Sequence, residues 1–354
     1  MDAFTYEALP GRVIFGSGTL ARVAEEVRAL GCRRVIVLST PEQRGDAEAL
    51  AARLGDLAAG LFSGAAMHTP VEVTKRALEI VRQAGAGCTV ALGGGSTTGL
   101  GKAIALRTDL PQIVIPTNYA GSEATPILGE TEHGRKVTQR TLKVLPEVII
   151  YDVELTLSLP ASLSATSGMN AIAHAVEALY ARDSNPVING MAEQGIAALA
   201  RALPTIRHDP SDRAARSDAL FGAWACGVCL GAVGMSLHHK LCHTLGGSFD
   251  LPHAPTHTVV LPHAAAFNAP AAPDAMARAA KALDVQDAPA GLFDLARSLG
   301  APTSLRELGV AEGELDRVAD LATTQPYWNP RPVDRRGIRA LLDDAWHGRR
   351  PGSR

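Results

Sequence analysis

No run of consecutive apolar residues in this 354-residue chain reaches the roughly 20 needed to span a bilayer as a helix, so a helical membrane protein is not expected. Charge of one sign is lacking too. Thirty-four Lys and Arg stand against 36 Asp and Glu, a net charge of −2. That balance gives no reason to expect nucleic acid or an acidic membrane surface as a partner. Cysteine is scarce: five residues, an odd number in a long chain, argue for reduced thiols and a cytoplasmic home rather than a disulfide framework. The opening MDAFTYEALPGR carries acidic residues and no apolar core, so it does not read as a secretory signal. Internal repeats and low-complexity segments are missing as well. The rest is ordinary for a soluble globular protein, with 46% apolar and 20% charged residues. The length favours two domains over one.

The first 150 residues alternate short apolar runs (13–15, 35–38, 89–92, 113–115 and 148–151) with helical patterns (20–30, 47–54, 71–84 and 98–106). Continuous rather than alternating apolar strands mean burial on both faces, hence a parallel sheet with helices on either side. From about residue 159 Ala, Leu and charged residues dominate and no convincing strand remains. The reading is therefore an N-terminal Rossmann-like α/β domain over residues 1–155 and an all-α domain over 156–354, joined near 152–159.

ALGGGSTTGLGKAIAL runs from a strand through Gly93, Gly94, Gly95 and Ser96 into a helix. Glycine allows close backbone approach and positive φ, and the first helical N–H groups then face a phosphate. The spacing is neither G-x-G-x-x-G nor a P-loop, since Lys102 lacks the preceding pattern. An ordinary tight turn is the alternative. In PTNYAGSEAT, Thr117, Asn118 and Ser122 are candidates to touch phosphate, ribose or nicotinamide, against a polar loop capping a strand. A third glycine turn, Phe15-Gly16-Ser17-Gly18, lies at another strand–helix junction. After the run VIVL come Ser39, Thr40 and Pro41. No acid stands there to hold a ribose diol or repel a 2′-phosphate, so both NADH and NADPH are expected to serve.

Asn170 and His174 are four apart in SGMNAIAHAVEALYA. His239 and His243 are four apart in LHHKLCHTLGGSFDLPH, with His253 ten residues on. Spacing of i, i+4 puts each pair on one helix face, and two such pairs can converge. Three histidines with a carboxylate would make a divalent metal site, but the neutral amide of Asn170 stands where that carboxylate would be. The competing reading is a set of hydrogen-bonded core histidines. His238 is expected to point to another face, in packing or at the surface. Cys226 and Cys229 form a C-x-x-C in an apolar small-residue stretch, where cysteine serves as a small hydrophobe rather than a redox pair.

These motifs together resemble the iron-containing alcohol dehydrogenase superfamily, which includes glycerol dehydrogenase and, more distantly, dehydroquinate synthase. The resemblance spans nearly the whole chain through FGSG, the GGGS turn, PTNYAGSEAT, SGMNAIAHAVEA and H-x-x-x-H-x-L-G-G-x-x-D-L-P-H. Within it, four details are similar to the maleylacetate reductase branch: MHTPVEVT at residues 67–74, Gly99 where most relatives have aspartate, a PTNYAGSEATPI loop one residue shorter, and Asn170 in place of the metal-binding aspartate. In metal-dependent relatives the positions matching Asn170, His174, His239 and His253 bind iron or zinc, and the match to His243 lies near nicotinamide and substrate.

The resemblance implies NADH- or NADPH-dependent reduction of a C=C bond in a small dicarboxylate, with no required metal and a homodimeric assembly. His243 is the expected general acid, and Asn170, His174, His239 and His253 the donors or cations around the substrate. Lys136 and Arg135 are candidates for a carboxylate clamp, with a solvated surface loop the equal alternative. Two other functions remain in view: an iron- or zinc-dependent alcohol or glycerol dehydrogenase, and a non-catalytic NADH-binding protein on the same scaffold.

Overall fold

The computed structural model describes residues 3–132 and 135–352. It divides into two compact units, residues 8–159 and residues 160–354 together with those before Ala8. The division falls four residues beyond the sequence boundary, at Pro160, which opens a helix and cannot continue the preceding turn.

In the first unit, β1 (Arg12–Gly16), α1 (Val23–Ala29), β2 (Val35–Leu38), α2 (Arg44–Leu54), β3 (Ala58–Phe62), α3 (Val71–Gln83), β4 (Cys88–Gly93), α4 (Gly95–Thr108) and β5 (Gln112–Pro116) alternate strictly. A hairpin, β6 (Ile127–Glu132) with β7 (Arg135–Arg140), precedes β8 (Val148–Asp152). Six strands form one sheet in the order β1-β8-β5-β4-β2-β3, and every pair is parallel. Side chains alternate across it. Val35 and Val37 pack with Val23, Val27, Leu50 and Leu54 from α1 and α2. Ile36 and Leu38 pack with Ala77, Leu78, Leu100 and Ile104 from α3 and α4. The doubly covered sheet expected from the continuous apolar runs is therefore present, because both faces need apolar side chains. The crossovers after β2 and β4 leave in opposite directions. Parallel sheets bind ligands outside the carboxyl ends of their strands at such a switch point.

Two elements escaped the sequence reading. β3, AAGLF, is an edge strand without a β-branched residue. The β6–β7 hairpin is polar and largely exposed on β7, so it carries no apolar signal.

The second unit contains only helices among its described residues: α5 (Ala161–Leu179), α6 (Pro186–His208), α7 (Arg213–Ala232), α8 (Leu237–Phe249), α9 (His253–Asn268), α10 (Pro273–Leu283), α11 (Ala288–Ser298), α12 (Leu315–Thr323) and α13 (Arg335–His347). α5 is buried almost throughout, from Ser164 to Leu179. Small residues bring α6 and α7 together: a Cβ at Gly222 would lie 2.8 Å from Leu199 Cγ and 3.0 Å from the Gly195 carbonyl oxygen. Cys226 packs at the same crossing. Both it and Cys229 are buried free thiols, with burial pushing Cys229 to about 12, which suits packing and not redox exchange. Leu237, Leu241, Leu245, Val259 and Val260 join α8 and α9 to α12 and α13 in one core. Among the described residues no single helix is long and apolar enough to cross a membrane.

Candidate active site

The glycine turn lies at the carboxyl end of β4, and Thr117 and Asn118 at the carboxyl end of neighbouring β5, with Gly93 in register with Pro116. Gly93 takes φ 151°, and the Thr117 N–H donates to its carbonyl oxygen at 3.2 Å. A Cβ at Gly94 would meet Asn118 Nδ2 at 2.2 Å, whereas one at Gly95 finds only Ala120 Cβ at 3.9 Å. Gly94 is the N-cap of α4 and no side chain caps that terminus; the Thr97 and Thr98 amides donate to the Gly94 carbonyl oxygen, which leaves those of Gly95 and Ser96 positioned for an anion. Gln43, in the loop after β2, donates from Nε2 to Thr117 Oγ1 at 3.0 Å and joins the two loops. The predicted group Gly93, Gly94, Gly95, Ser96, Thr117 and Asn118 is thus gathered at the carboxyl ends of two neighbouring strands, and Gln43 is a neighbour of this group that sequence reasoning missed. The contrast between the two glycines is testable. Gly94→Ala should cost about 1–3 kcal/mol in chemical denaturation through overpacking and weaken NADH binding, while Gly95→Ala should leave stability unchanged and weaken only NADH binding, read by fluorescence titration.

Ser122 is held from below. Lys102, buried on α4, donates to the carbonyl oxygens of Ser122 (2.6 Å), Thr125 (2.7 Å) and Ile127 (2.9 Å) and to Thr125 Oγ1 (3.0 Å). Burial lowers this amine to about 7, against the pull of Glu123 in the other direction. Glu123 accepts from Tyr151 Oη at 2.8 Å. The lysine that failed as a phosphate ligand is therefore a brace for the loop carrying Ser122.

Two family-specific details turn out to be one packing unit. His68 and Thr69, with φ 64° and 47°, form a left-handed turn that only strong local packing sustains. Thr69 Oγ1 occupies the space of a side chain at position 99, where a Cβ would approach to 2.3 Å. The turn with Thr69 in this place therefore requires glycine at position 99. The FGSG turn, in contrast, is not open to phosphate: the Asp152 carboxylate accepts from the amides of Gly18 at 2.9 Å and Leu20 at 2.8 Å.

In the helical unit Asn170, His174 and Glu177 lie along one stripe of α5, at steps of four and three. α8 supplies His238, His239 and His243. The turn after it, with Asp250 at φ 51° and Pro252 as the cap of α9, reverses the chain and brings in His253 and His257. The His253 and His257 ring centroids are 4.2 Å apart, and those of His239 and His257 5.0 Å. His243 stands edge-on to His239 at 6.1 Å. His243 and His253 are exposed, while Asn170, His174, His238, His239 and His257 are buried. The cluster thus has a wet rim and a dry floor.

The hydrogen bonds on the floor run in one direction. The Glu177 carboxylate is buried, and burial alone would raise it. The hydrogen bonds from His239 and the Ser236 amide, with the neighbouring imidazoles, outweigh that and hold it at about 2. It also takes the Ser236 hydroxyl (2.9 Å) and the His238 amide (2.8 Å) at the start of α8, where the helix dipole favours an anion. An ionised Glu177 accepts from His239 Nδ1 at 2.6 Å, so His239 Nε2 accepts from His174 Nδ1 at 2.9 Å. His174 Nε2 then accepts from the Asn170 amide nitrogen at 3.2 Å. Glu177 fixes the tautomer of both histidines through this chain.

Four of the five predicted residues, Asn170, His174, His239 and His243, are linked by these contacts, and His253 joins through His257. Glu177 and His257 were missed, though each carries a signal in spacing: i+3 from His174 and i+4 from His253. Of the two roles expected for His238, packing or surface, the structure shows packing and corrects the surface alternative. His238 is fully buried inside the cluster, its Nε2 2.9 Å from His257 Nδ1, because α8 is covered there by α9. Lys136 is exposed on β7, with its side chain lying along Gly129. The side chain of Arg135 lies outside the described residues.

Residues 10–153 match the iron-containing alcohol dehydrogenase family, and residues 164–346 match the C-terminal part of the Fe-containing alcohol dehydrogenase family. The chain belongs to the iron-containing alcohol dehydrogenase family. Within this family it is 64% identical to a maleylacetate reductase of Rhizobium sp. (strain MTP-10005), covering 99% of this chain and 100% of that one. Identity to a maleylacetate reductase of Sphingobium indicum is 57%, over 98% and 99% of the two chains. The crystal structure of maleylacetate reductase from Agrobacterium tumefaciens superposes with a TM-score of 0.96 at 63% identity, covering 99% of this chain and 100% of that chain.

The family name implies iron, and the residues here do not fit it. The set contains no carboxylate at position 170, and both nitrogens of His174 are engaged, one by the Asn170 amide and one by His239. A ligating imidazole needs a lone pair directed at the ion. The other gathering of donors, His238, Cys242 and His257, brings ligand atoms within 4.8 Å of one another. Its two nitrogens lie 2.9 Å apart, a hydrogen bond, and shorter than the roughly 3.3 Å that nitrogens keep around a tetrahedral ion at about 2.0–2.1 Å.

Proposed function

We propose that this chain is an NAD(P)H-dependent oxidoreductase that reduces the C=C bond of maleylacetate to give 3-oxoadipate, a step in the degradation of aromatic compounds. The observation that carries the reading is the full-length identity of 64% with the Rhizobium maleylacetate reductase. The chemistry of the site agrees with it. Maleylacetate has an alkene conjugated to a ketone and carboxylates at both ends. NADH or NADPH, held by the glycine turn, would supply the hydride for the alkene carbon β to the ketone. The π electrons move onto the ketone oxygen as an enolate, and a proton from His243 closes the sequence at the α carbon. Charge spread in this way is steadied by hydrogen-bond donors held in place before the reaction.

Asn170 keeps one amide N–H beyond the one given to His174 and carries no charge, and an anion there would repel a dianionic substrate. Lys136 and Arg135 are the proposed partners of the substrate carboxylates. The glycine turn and Thr117, Asn118 and Ser122 are the proposed seat of NADH or NADPH. A homodimer in the cytoplasm belongs to the same proposal, supported by the family resemblance and by five buried free thiols. No catalytic metal is part of it. Metal-stripped protein is expected to oxidise NADH with freshly generated maleylacetate at an undiminished rate, and to ignore glycerol and short-chain alcohols with NAD. Full dependence on added iron or zinc would favour the metal-dependent alcohol dehydrogenase instead.

A further inference from the structure

Lys102 is a buried cation that the proposed reaction does not use. It stands on α4 two turns after Gly95, about 10 Å along the helix from the amides offered to an anion. Only 1% of it is exposed. Its Nζ lies 2.6 Å from the Ser122 carbonyl oxygen, 2.7 Å from that of Thr125, 2.9 Å from that of Ile127 and 3.0 Å from Thr125 Oγ1. Four oxygens thus surround one ammonium, which has three N–H groups to give. Thr125 Oγ1 also donates to the Ser122 carbonyl oxygen at 2.9 Å and so closes the cage. The cage is the downstream anchor of the loop that carries Thr117, Asn118 and Ser122. The upstream anchor is the Thr117 amide on the Gly93 carbonyl oxygen, with the Gln43 side chain on Thr117 Oγ1. Thr117, Asn118 and Ser122 stay partly exposed, as Gly95 and Ser96 do. The loop is therefore open to a ligand while it is tied to α4. An apolar side chain at 102 would withdraw a donor from three carbonyl oxygens within residues 122–127 at once, and buried carbonyls need donors.

We propose that Lys102 is a positioning residue for the coenzyme, its ammonium holding the 117–127 loop on α4 in a fixed relation to the amides of Gly95 and Ser96. This rests on the reading of the glycine turn and that loop as the seat of NADH or NADPH. Lys102 lies beneath the loop and acts through it. A loop held in place before binding spares the coenzyme the entropy of ordering it, so the effect falls on NADH affinity. The histidines of the floor stand on α5, α8 and α9, so turnover at saturating NADH is left as it is.

Fluorescence titration with NADH and steady-state kinetics with maleylacetate test it, at about pH 6, where the Lys102 amine carries its proton. Lys102→Met should weaken NADH binding about tenfold, the worth of one hydrogen bond lost to the coenzyme. KM for NADH should rise with it, and kcat at saturating NADH should change little. In Lys102→Ala the emptied cage should accept a free ammonium ion. Ammonium chloride should then restore much of the NADH affinity, and sodium chloride at the same ionic strength should not. Thr125→Val removes one hydroxyl from the cage and leaves the lysine in place, so it decides the matter if the lysine variants fail to fold. It should weaken NADH binding about threefold. Unchanged NADH affinity in the folded variants, a fall in kcat with affinity intact, or an equal response to the two salts would each overturn the proposal. Wild-type protein that binds no NADH would take down the coenzyme reading and this inference with it, whereas wild-type binding with unaffected variants would overturn this inference alone.

Discussion

His243→Ala is expected to lower maleylacetate turnover by about 10²-fold or more, the scale on which a general acid acts. His243 is exposed on α8 and stands at the rim, 6.1 Å from His239. Truncating an exposed side chain shifts stability by about 0.5 kcal/mol or less, so the loss should appear in kcat while thermal unfolding stays unchanged. The position of this ring suits proton transfer. It is wet enough to be reprotonated after each turnover, and it abuts the hydrogen-bonded floor. Turnover within a few-fold of wild type in His243→Ala would remove it from that role. Single-turnover measurements with NADH separate the outcomes, since hydride loss without product release would report an arrested enolate.

Glu177→Ala should have the largest effect on folding. It removes the acceptor for His239 Nδ1, the Ser236 hydroxyl and the amides at the start of α8 in one step. Each buried donor left without its acceptor costs about 1–3 kcal/mol, so a loss of several kcal/mol is expected in urea denaturation. The pH dependence follows from the same carboxylate. Its folded pKa, about 2, lies below its unfolded value near 4.5. The unfolded chain therefore binds the proton more readily between these values. The stabilisation is complete above pH 4.5 and fades as the pH falls towards 2, by roughly 3 kcal/mol in total. Acid unfolding of the wild type should be steeper in this window than that of Glu177→Gln, whose amide does not titrate. Equal acid sensitivity of the two proteins would mean that Glu177 is not ionised. Residual activity in Glu177→Gln should also fall, because the His239 and His174 tautomers lose their anchor.

The two-part architecture was legible because it follows from periodicity. Strand 35–38 was read with the bounds observed, and the runs at 89–92 and 113–115 lie inside β4 and β5. Buried parallel strands must be apolar on both faces, and that pattern is local. The site was half legible. Spacing of four found Asn170 with His174 and His239 with His243, since helix geometry alone puts such pairs on one face. The same rule applied to His253 would have reached His257, and a step of three from His174 would have reached Glu177. Gln43 and Lys102 had no such signal. Gln43 meets Thr117 across 74 residues of sequence, and Lys102 looks like any helix lysine until its amine is seen among buried carbonyl oxygens.

The amino-acid order by itself determined the fold class, the glycine turn, the histidine pairs and the family, all of which rest on neighbours within one or two turns of chain. The direction in which protons point on the buried floor was decided only by the tertiary structure. Glu177 on α5 and His239 on α8 meet across 62 residues, and a tautomer depends on which group faces each nitrogen, a relation that spacing along a chain does not contain.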